Sequence, residues 1–470
     1  MSPNALSECQ MNELTAKLRG SVVLPSDVDY EEARQVHNGM IDRRPAAIVR
    51  CMDVGDVMAT VNFARDCGQR LAVRGGGHNG AGLGVADDAI VADLRGLRGV
   101  RVDPERRTAR VGGGCLLGEV DHATGAFGLA APFGIISTTG VGGLTLGGGS
   151  GYLTRKYGLS IDNLREVDLV LADGSFVTAS ERQNQDLFWA VRGGGGNFGV
   201  VTSFLFDLHP VSTVYAGPML WRLEDTAEML TKYREWMAEH EDDHDFYGFF
   251  LMQGFPLEDH FPEELQGKTV CGVLWCHTGT LDQAEKALEP IRAYKKPALD
   301  WVAPMSYLTL QSMAGAGLPR GLQWYFKADF VGELTDDAIE IHAKYGKKSP
   351  SVWSVMHLYP VDGAAGQVGP SETAWSYREA KWSAVYAGVD PNPGYRDAIT
   401  NWSRSYWQEL HPYSLGGGYI NMMMDEGEDC IRSTYRDNYE RLADVKATYD
   451  PDNLFNVNQN IKPARATRPV

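Results

Sequence analysis

The sequence lacks several features that would assign it to other classes of protein. Its seven cysteines are odd in number and include no CxxC pair, which argues against a disulfide framework and a cysteine-based zinc site. No run approaches 18 consecutive apolar residues, and the polar N-terminal stretch has no apolar signal core. We therefore expect no membrane span and interpret the chain as a soluble protein of a reducing cytoplasm.

Positive charge is also scarce. The chain has 44 Lys and Arg against 61 Asp and Glu, which gives a net charge of −17. A negative field of this size repels phosphate backbones and anionic lipid. We therefore expect no nucleic-acid or membrane partner. The sequence leaves open whether the protein is a monomer or a homodimer.

The familiar motifs of phosphate, hydrolase and metal chemistry are absent or out of context. The sequence contains neither GxxxxGK[ST] nor GxSxG. Two GxGxxG matches, within 75–80 and 194–199, are each followed by a predicted strand, whereas the dinucleotide fingerprint requires a helix. Residues 240–244 read HEDDH, which matches the zinc pattern HExxH, but two aspartates are poor helix formers. We interpret this segment as a solvated helix end and expect no metal.

Glycine, in contrast, is abundant and concentrated in one region. Of the 53 glycines, 22 fall between Arg74 and Gly151. After a predicted strand, residues 74–79 read RGGGHN, in which three glycines leave backbone N–H groups free to form a nest for a phosphate. Arg74 could add charge, and His78 lies at the end of the nest. The residues alone leave two interpretations open: a phosphate-containing cofactor, or a tight turn with a structural histidine.

The chain divides into three regions of different composition and predicted secondary structure. Residues 1–210 are rich in glycine and short predicted strands, with a helix capped by Asp53 and a hairpin around Asp173-Gly174. Residues 211–415 have less glycine and more tryptophan and tyrosine, and predicted strands alternate there with helices. This pattern predicts an α+β layer with helices on one face of a sheet. Residues 416–470 are predicted to contain a strand, GYINMMM, then helices and an extended ending.

Longer stretches of the sequence resemble a known family. RGGGHNGAGLG, ARVGGGCLLGEV, FGLAAPFGIISTTGVGGLTLGGGSGYLTRKYGLSIDNL and YDPDNLFNVNQNI resemble the FAD-binding domain of the berberine-bridge-enzyme and 6-hydroxy-D-nicotine-oxidase group, within the vanillyl-alcohol-oxidase superfamily. The resemblance is strong over 1–210 and 416–470 and weak between them. It implies an α+β, two-domain FAD-binding fold of the VAO/PCMH type. Residues 1–210 and 416–470 would form the FAD-binding domain, and 211–415 a substrate domain whose antiparallel sheet, covered by helices, roofs the flavin.

The resemblance also implies how FAD is held. In that family the first glycine loop binds the FAD pyrophosphate and its histidine is bonded to the 8α carbon, which makes His78 the covalent anchor. The cysteine that forms a second bond in many members corresponds to Ile136, so we expect a single bond. Thr139 occupies the position thought to gate oxygen, and its valine-like shape favours an oxidase over a dehydrogenase. The other residues expected to bind FAD are Arg74, Gly75, Gly76, Gly77, Asn79, Gly134, Thr138, Gly140, Gly142, Gly143, Gly148, Val200, Val201, Asn458 and Gln459.

The sequence departs from the family's pattern at the catalytic base. Many members end with a YxNY strand whose second tyrosine is the base, and Met422 stands there in this chain. If that strand were regular, Ile420 and Met422 would share one face, and Tyr419 and Asn421 the other. Either the middle region supplies a base, or the substrate, such as a neutral amine, needs none. The candidates in the middle region are Tyr307, Tyr325, His357, Tyr377 and Arg378; of all these residues we predict Tyr377, Tyr325 and Asn421 to be catalytic.

The expected activity is that of an FAD-linked oxidase. A hydride would pass from a small amine, an alcohol or a ring-bearing secondary metabolite to flavin N5, and then to O2 with formation of hydrogen peroxide. Tryptophans at 275, 324, 353, 375 and 382 suit a flat aromatic substrate pocket. The alternatives are a dehydrogenase that excludes O2 and a flavoprotein of the same fold that catalyses cyclisation or rearrangement without net redox.

Overall fold

The computed structural model describes residues 7–257, 263, 265–315 and 319–465. The outer ends of the two predicted FAD-domain segments, 1–6 and 466–470, lie outside the described residues. The α-helices are α1 Glu8–Thr15, α2 Tyr30–Ala33, α3 Val54–Asp66, α4 Leu117–Gly125, α5 Val141–Leu146, α6 Thr154–Tyr157, α7 Gln185–Val191, α8 Thr226–Glu239, α9 Leu281–Tyr294, α10 Tyr307–Met313, α11 Asp336–Lys347, α12 Arg396–Leu410, α13 Glu428–Tyr435 and α14 Asn438–Tyr449. The strands of the first part of the chain are β1 Ser21–Val23, β2 Ala47–Arg50, β3 Leu71–Arg74, β4 Ile90–Asp93, β5 Val100–Asp103, β6 Thr108–Gly112, β7 Leu129–Ala130, β8 Leu164–Val170, β9 Phe176–Ser180, β10 Val200–Asp207 and β11 His209–Pro210. Those of the middle are β12 Thr213–Arg222, β13 Phe246–Phe255, β14 Lys268–His277, β15 Leu299–Asp300, β16 Ala303–Ser306, β17 Gln323–Val331, β18 Val355–Pro360 and β19 Trp382–Asp390.

Two sheets form the glycine-rich part of the molecule. The first has the strand order β1-β2-β4-β3, in which β2 and β3 run parallel to β4, and the second is antiparallel with the order β5-β6-β10-β8-β9. The Asp53 side chain accepts a hydrogen bond from the Asp56 amide and caps α3, as predicted. The predicted hairpin is also present, since β8 pairs with β9 across a turn where Gly174 has φ +82°. Both GxGxxG matches lead into β4 or β10 without an intervening helix, as expected.

The C-terminal residues return to these two sheets. Phe455 is buried in the core between α3 and the first sheet. Leu442 and Ile461 are buried in the core of the second sheet with Val167 and Phe204. The chain therefore first forms the two glycine-rich sheets and then the third sheet. Its C-terminal segment returns to complete the cores of the first two sheets.

The third sheet lies between residues 213 and 390. Its strands are antiparallel in the order β15-β12-β14-β13-β18-β19-β17, and β16 pairs with β12. One face carries α8, α9, α11 and α12 over a core that includes Trp275, Tyr233 and Tyr406. The opposite face is free of helices along most of its length and points toward the glycine-rich sheets, which confirms the predicted antiparallel sheet covered by helices.

The buried side chain of Arg155, on α6, joins the two halves of the molecule. Its guanidinium donates hydrogen bonds to the carbonyl oxygens of His240, Glu241 and Asp243 at 2.9–3.0 Å and to the Asp362 carboxylate at 2.8 Å. The HEDDH segment therefore ends α8 and turns into β13, as predicted for a helix end. Within the described ranges, no group of three or more His, Cys, Asp or Glu side chains is placed to hold a metal ion. No helix of the described chain is long and apolar enough to cross a membrane.

The strand predicted at GYINMMM is wrong. Residues Ile420–Met422 form a 3₁₀ turn, preceded by Gly416 with φ +93° and Gly417 with φ +47°. This left-handed backbone interrupts an extended chain and is open to glycine at little cost. The alternation expected for a strand therefore does not apply to this segment.

Candidate active site

A cavity of about 660 Å³ lies between the glycine-rich sheets and the free face of the third sheet. Its floor is formed by glycine runs at 75–77, 140–143 and 195–196 together with residues 134–136 and 457–459. Its roof is formed by side chains of β12, β13, β14, β17, β18 and β19. The floor of this cavity is thus mostly backbone without side chains, and its roof consists of side chains.

The glycines of the floor serve two physical purposes. Gly76 and Gly140 bring two loops into contact, since a Cβ added to Gly76 would lie 2.4 Å from the Gly140 nitrogen. A Cβ on Gly143 or Gly196, in contrast, would meet no atom within 4 Å and would project into the cavity. The loop contact shapes the floor, and the bare positions leave room for a flat or extended ligand.

His78 lies in the wall of this cavity and is surrounded by neutral partners. Its Nε2 atom lies 3.0 Å from the Thr138 hydroxyl and its Nδ1 atom 3.5 Å from the Thr139 hydroxyl. The ring of His37 stacks on it with 4.0 Å between centroids. Burial, with a smaller contribution from His37, lowers the pKa of His78 to about 3. The imidazole is therefore uncharged at neutral pH and keeps a nucleophilic nitrogen lone pair.

Arg74 does not offer a free positive charge to the glycine nest. Its buried guanidinium is paired with Asp93 at 2.6 Å and donates a hydrogen bond to the Ala33 carbonyl at 2.6 Å. Its Nε atom has no partner among the described residues and lies in the cavity lining. The main role of Arg74 is thus to hold the loop beneath the nest, with one N–H left for a ligand.

Most of the residues predicted to bind the cofactor line the cavity, and three do not. The lining includes Arg74, Gly75, Gly76, Gly77, His78, Asn79, Gly134, Ile136, Thr139, Gly140, Gly142, Gly143, Val201, Asn458 and Gln459. Thr138 is outside the lining, but its hydroxyl contacts His78, which is part of the lining. Val200 points the other way along β10, into the core beneath the first sheet, and Gly148 packs under the ring of Trp375, where a Cβ would lie 2.5 Å away.

The floor fits a flavin nucleotide. Asn458 donates from its amide to the Gly196 carbonyl at 3.0 Å, which leaves its buried Oδ1 without a partner in the described chain. An unpaired buried acceptor is costly unless a ligand or water supplies a donor. Together with the Arg74 N–H and the bare glycines, it provides polar contacts along a slot that FAD would fill.

The roof is mostly apolar. It presents side chains from alternate positions of neighbouring strands, including Leu220, Phe249, Leu251, Leu274, Trp324, Phe326, Val355 and Val385. Its polar side chains are those of Gln253, His357 and Tyr359. Among the described lining residues there is no Asp, Glu or Lys, and the one Arg is already paired with Asp93.

His357 and Tyr359 form the polar centre of the roof. They lie two residues apart on β18, so their side chains share a face, and His357 Nδ1 is 2.5 Å from the Tyr359 hydroxyl. The Nε2 atom of His357 has no partner among the described residues. Burial lowers the pKa of His357 to about 3, so the ring is neutral. His357 is thus an uncharged side chain of the cavity lining, with a buried and unpaired Nε2 atom.

The structure contradicts two of the three predicted catalytic residues. Tyr377 donates its hydroxyl hydrogen bond to the Ser433 carbonyl at 2.8 Å and stacks on Phe330, away from the cavity. Tyr325 follows Trp324 on β17 and therefore points to the helix-covered face, where its hydroxyl accepts a hydrogen bond from Arg404 at 2.8 Å. Neither side chain lines the cavity.

Two of the wider candidates from the middle region are also elsewhere. Arg378 forms a buried ion pair with Asp162 at 2.7 Å and does not reach the cavity. Tyr307 is buried on α10, below the roof, and is not part of the lining. His357 is the only one of the five candidates that lines the cavity.

Asn421 does line the cavity, beside Tyr419. Its amide donates to the Leu144 carbonyl at 3.0 Å and to the Tyr419 hydroxyl at 2.9 Å. The Tyr419 hydroxyl also accepts a hydrogen bond from the Gly149 amide, and burial raises the pKa of Tyr419 to about 12. Both side chains are therefore occupied in holding the second glycine run.

Sequence reasoning missed five polar residues of the cavity, Ser150 and Asn197 in the glycine-rich part and His37, Gln253 and Tyr359 elsewhere. Tyr359 could have been found, since HLYP places it two residues after His357 on a predicted strand. His37 and Gln253 stand in no recognisable motif. Only the three-dimensional fold brings them to the site.

Comparisons with known proteins agree with this architecture. The model of a family described as FAD binding domain matches residues 45–180, and that of a family described as Berberine and berberine like matches residues 418–462. The FAD-linked oxidoreductase pgmH of Aspergillus terreus is 39% identical over 495 residues, which cover 96% of each chain. The (R)-6-hydroxynicotine oxidase of Paenarthrobacter nicotinovorans is 30% identical over 95% of this chain and 97% of its own.

A solved structure shows the same fold. The crystal structure of 6-hydroxy-D-nicotine oxidase from Arthrobacter nicotinovorans superposes with a TM-score of 0.85 at 29% identity, covering 95% of this chain and 98% of that one. Identity at this level over nearly the whole length shows the fold and the family. The chain belongs to the berberine-bridge-enzyme-like FAD-linked oxidoreductases of the VAO/PCMH-type family.

Proposed function

We propose that this FAD-linked oxidoreductase is an oxidase of a small, uncharged, ring-bearing molecule, and that its FAD is attached by one covalent bond to His78. When bound, the flavin supplies a two-electron acceptor that takes a hydride at N5 and returns the electrons to O2 as hydrogen peroxide. One observation carries the proposal: an uncharged imidazole, His357, lines the same cavity as the glycine floor and His78.

The surroundings of His78 support a single covalent bond. The ring is neutral and held by Thr138 and the stacked His37, so that a nitrogen lone pair is available in a fixed orientation. Ile136, at the position of the family's second attachment, lines the cavity and has no nucleophilic atom. Cys115 is buried outside the lining and donates its S–H to the Gly99 carbonyl, so it cannot provide a second bond.

The roof supports an uncharged substrate with a ring. A cationic ammonium group would find no carboxylate among the described lining residues, and an anion would find no unpaired cation. Burying an unpaired charge is strongly unfavourable. Trp324 and Phe326 stack with 3° between their planes and present a flat aromatic wall. Among the substrate classes expected from the sequence, a neutral alcohol or ring-bearing metabolite fits this roof better than an amine that is charged at neutral pH.

The chain's own residues would bind, orient and exclude water. Gln253 can donate or accept a hydrogen bond at the roof, and Trp324 and Phe326 offer aromatic surface to a substrate ring. Thr139 lines the floor beside His78, where the side chain controls the space left for O2. His357 accepts a proton from a substrate hydroxyl while its partner Tyr359 fixes the ring.

Anaerobic mixing tests the proposal. Purified holoprotein is mixed without oxygen with a panel of neutral alcohols, phenol-bearing alcohols and amines, and the flavin absorbance is followed. Bleaching by a neutral ring-bearing substrate, followed by peroxide release on adding air, supports an oxidase. Bleaching with no reoxidation by air would identify a dehydrogenase, and product formation without bleaching would identify a reaction without net redox.

The compartment is part of the same proposal. All seven cysteines are free thiols, four of them buried, and the described fold uses no disulfide. Unpaired thiols persist in reducing compartments, so we infer a cytoplasmic enzyme. We also infer a monomer or homodimer, which light scattering of the purified holoprotein would determine.

A further inference from the structure

One end of the cavity lies under β14 and β12, away from the aromatic wall of β17. We name it the apolar end and define it by the lining residues Pro218, Leu251, Leu274, Trp301 and Met313. We propose that the apolar end holds a hydrocarbon chain of the substrate, so that the reacting alcohol carbon has a ring on one side and this chain on the other. The inference rests on the proposed oxidase function, and it names the class of molecule that the cavity would take.

The pairing of the strands sets the length of this part of the cavity. Leu274 on β14 pairs with Pro218 on β12 and with Phe249 on β13. The ring of Phe249 in turn lies 5.0 Å from that of Tyr359 on β18. Because neighbouring strands lie about 4.8 Å apart, Pro218 is about 14 Å across the sheet from Tyr359. That distance is longer than one six-membered ring.

The polar centre of the roof separates the apolar end from the aromatic wall. His357 and Tyr359 are on β18, and the strand order places β13, β14 and β12 on one side of it and β19 and β17 on the other. Trp324 and Phe326, on β17, therefore lie two strands from β18 in the direction opposite to Pro218. A substrate whose hydroxyl reaches the polar centre thus meets aromatic side chains on one side and the apolar end on the other.

Hydrogen bonds hold the borders of the apolar end in place. The Trp301 amide donates to the Pro218 carbonyl at 3.0 Å, which fixes the Trp301 backbone beside β12. Gln311 on α10 is buried, and its amide donates to the Gly134 carbonyl of the floor at 3.0 Å. Met313 follows two residues later on the same helix. The apolar end is therefore built into the folded framework on both sides.

The floor beneath the apolar end carries side chains, unlike the glycine runs at 140–143 and 195–196. Ile135 lines the cavity and packs against the hydrophobic core that contains Leu251 and Leu274. A flat ring system needs bare backbone on which to lie, whereas a flexible chain can pass between branched side chains. The apolar end therefore suits a hydrocarbon chain better than it suits the flavin or a second ring.

The side chains of the apolar end also select the polarity of the chain. Trp301 contributes the only N–H among the five, and none of them carries an O–H, an amide or a charge. Gln253, two residues from Leu251 on the same face of β13, is the nearest polar side chain along that strand. Sugar hydroxyls would be buried here without partners, which is unfavourable, whereas the burial of each CH2 group is favourable. Hydrocarbon is therefore favoured over a hydroxylated chain.

The experiment measures the binding of a series of phenyl alkyl ketones to the holoprotein by calorimetry. Acetophenone, butyrophenone and hexanophenone share the ring and the carbonyl group, and their chains have one, three and five carbons. None of them has a hydroxyl to oxidise, so their binding can be measured whether or not the protein is an oxidase. In the wild type we expect Kd to fall about fourfold for each added CH2 group, the ratio expected for full burial of a methylene.

Two variants test whether this gain arises at the apolar end. Leu274→Asn puts a polar side chain at its centre and should reduce the gain to twofold or less for each CH2 group. Trp301→Ala removes its outer wall and should do the same for the step from butyrophenone to hexanophenone. Leu308→Asn and Phe127→Ala are the matched controls and should keep the wild-type gain, because both side chains are exposed and neither is part of the lining. Phe127 is 52% exposed and Trp301 51%, so this aromatic pair is also matched in exposure.

The two proposals fail in different ways. A Kd that does not change along the series in the wild type, or a gain that Leu274→Asn and Trp301→Ala both retain, would show that no chain lies at the apolar end. The oxidase function would still stand if alcohols of the panel bleach the flavin. If the ketones bind as expected but no alcohol bleaches the flavin, 1-phenylhexanol included, the oxidase function is wrong and the chain site remains. Because Trp301 is half exposed, Trp301→Ala keeps the test valid should Leu274→Asn fail to fold.

Discussion

The imidazole ring of His37 lies parallel to that of His78, with 4.0 Å between the centroids and 19° between the planes. Burial, with a smaller effect of Arg320, lowers the pKa of His37 to about 4, so two neutral rings are stacked. The backbone amide of His37 also donates to the Gly77 carbonyl at 2.9 Å. The two histidines come from separate loops, and their stacking fixes the orientation of the predicted anchor.

Removing this stack is expected to slow attachment of the flavin. His37→Ala should incorporate FAD covalently several-fold more slowly than the wild type, while His37→Phe, which keeps an aromatic ring, should stay close to it. The measurement is the fraction of flavin that remains with acid-precipitated protein after apoprotein is incubated with FAD. Equal rates in His37→Ala and the wild type would show that the stack does not position His78.

The same substitution, glycine to alanine, should have different effects on Tm and on FAD binding at two positions of the floor. Gly143→Ala should leave the Tm of the FAD-free protein almost unchanged and weaken FAD binding, because its Cβ projects into the cavity. Gly76→Ala should lower the Tm of the FAD-free protein, because its Cβ would lie 2.4 Å from the Gly140 nitrogen. Thermal unfolding with and without FAD separates the two. The account of the floor is wrong if both variants lose FAD affinity at an unchanged Tm.

The buried contacts of Arg155 predict that its replacement strongly lowers stability, although the residue lies outside the cavity lining. Replacing it by Met leaves the three carbonyls named above, the Phe246 carbonyl and the Asp362 carboxylate without their donor, and removal of one partner from a buried ion pair costs about 3–5 kcal/mol. Arg165→Met is the control, since Arg165 pairs with Asp207 on the surface and such pairs contribute about 0–1 kcal/mol. Chemical unfolding of both variants is the measurement. A similar small loss in both would contradict the role of Arg155 as the link between the two halves.

The burial of His342 predicts how the stability of the folded chain changes with pH. It is buried on α11 beside the Tyr406 hydroxyl, 2.7 Å away, and burial lowers its pKa from 6.5 to about 3. Between these two pH values the unfolded chain binds the proton and the folded chain does not, so stability present above pH 6.5 is lost as the pH falls.

The change of stability with pH is set by the single proton that the unfolded chain binds at His342. His342 alone should shift the unfolding equilibrium constant about tenfold per pH unit between pH 6 and pH 4. His342→Gln should reduce the slope by that amount, while His122→Gln, at an exposed position, should not change it. Urea unfolding at several pH values is the measurement, and an unchanged slope in His342→Gln would contradict the assignment.

The fold and the floor of the site could be predicted from the sequence because both are local. Glycine runs, the Asp53 cap and the Asp173-Gly174 turn act over a few residues, and the long ordered motifs around them resemble one family. The catalytic residues could not be predicted in the same way. Whether Tyr325 or Trp324 faces the cavity depends on the pairing of β17 with β19, which is set by residues about 60 positions away.

The prediction of a C-terminal strand was wrong for a related reason. Apolar residues after Tyr419 suggested an extended chain, yet two left-handed glycines turn it, and the Tyr419 hydroxyl is held by the Gly149 amide about 270 residues earlier in the chain. The sequence predicts Met422 at the position of the family's catalytic tyrosine. The residue that we propose in its place, the neutral His357 on the opposite wall, could be identified only from the fold of the third sheet over the floor.

The central claim is that this cavity holds FAD bonded to His78, and peptide mass analysis tests it most directly. Trypsin cuts after Arg74 and Arg95 and releases residues 75–95, in which His78 is the only histidine and no cysteine is present. From acid-denatured holoprotein, this peptide should carry the mass of one flavin nucleotide and its absorbance, and the same peptide of His78→Ala should carry neither. An unmodified 75–95 peptide, with all flavin released into the acid supernatant of the wild type, would contradict the account.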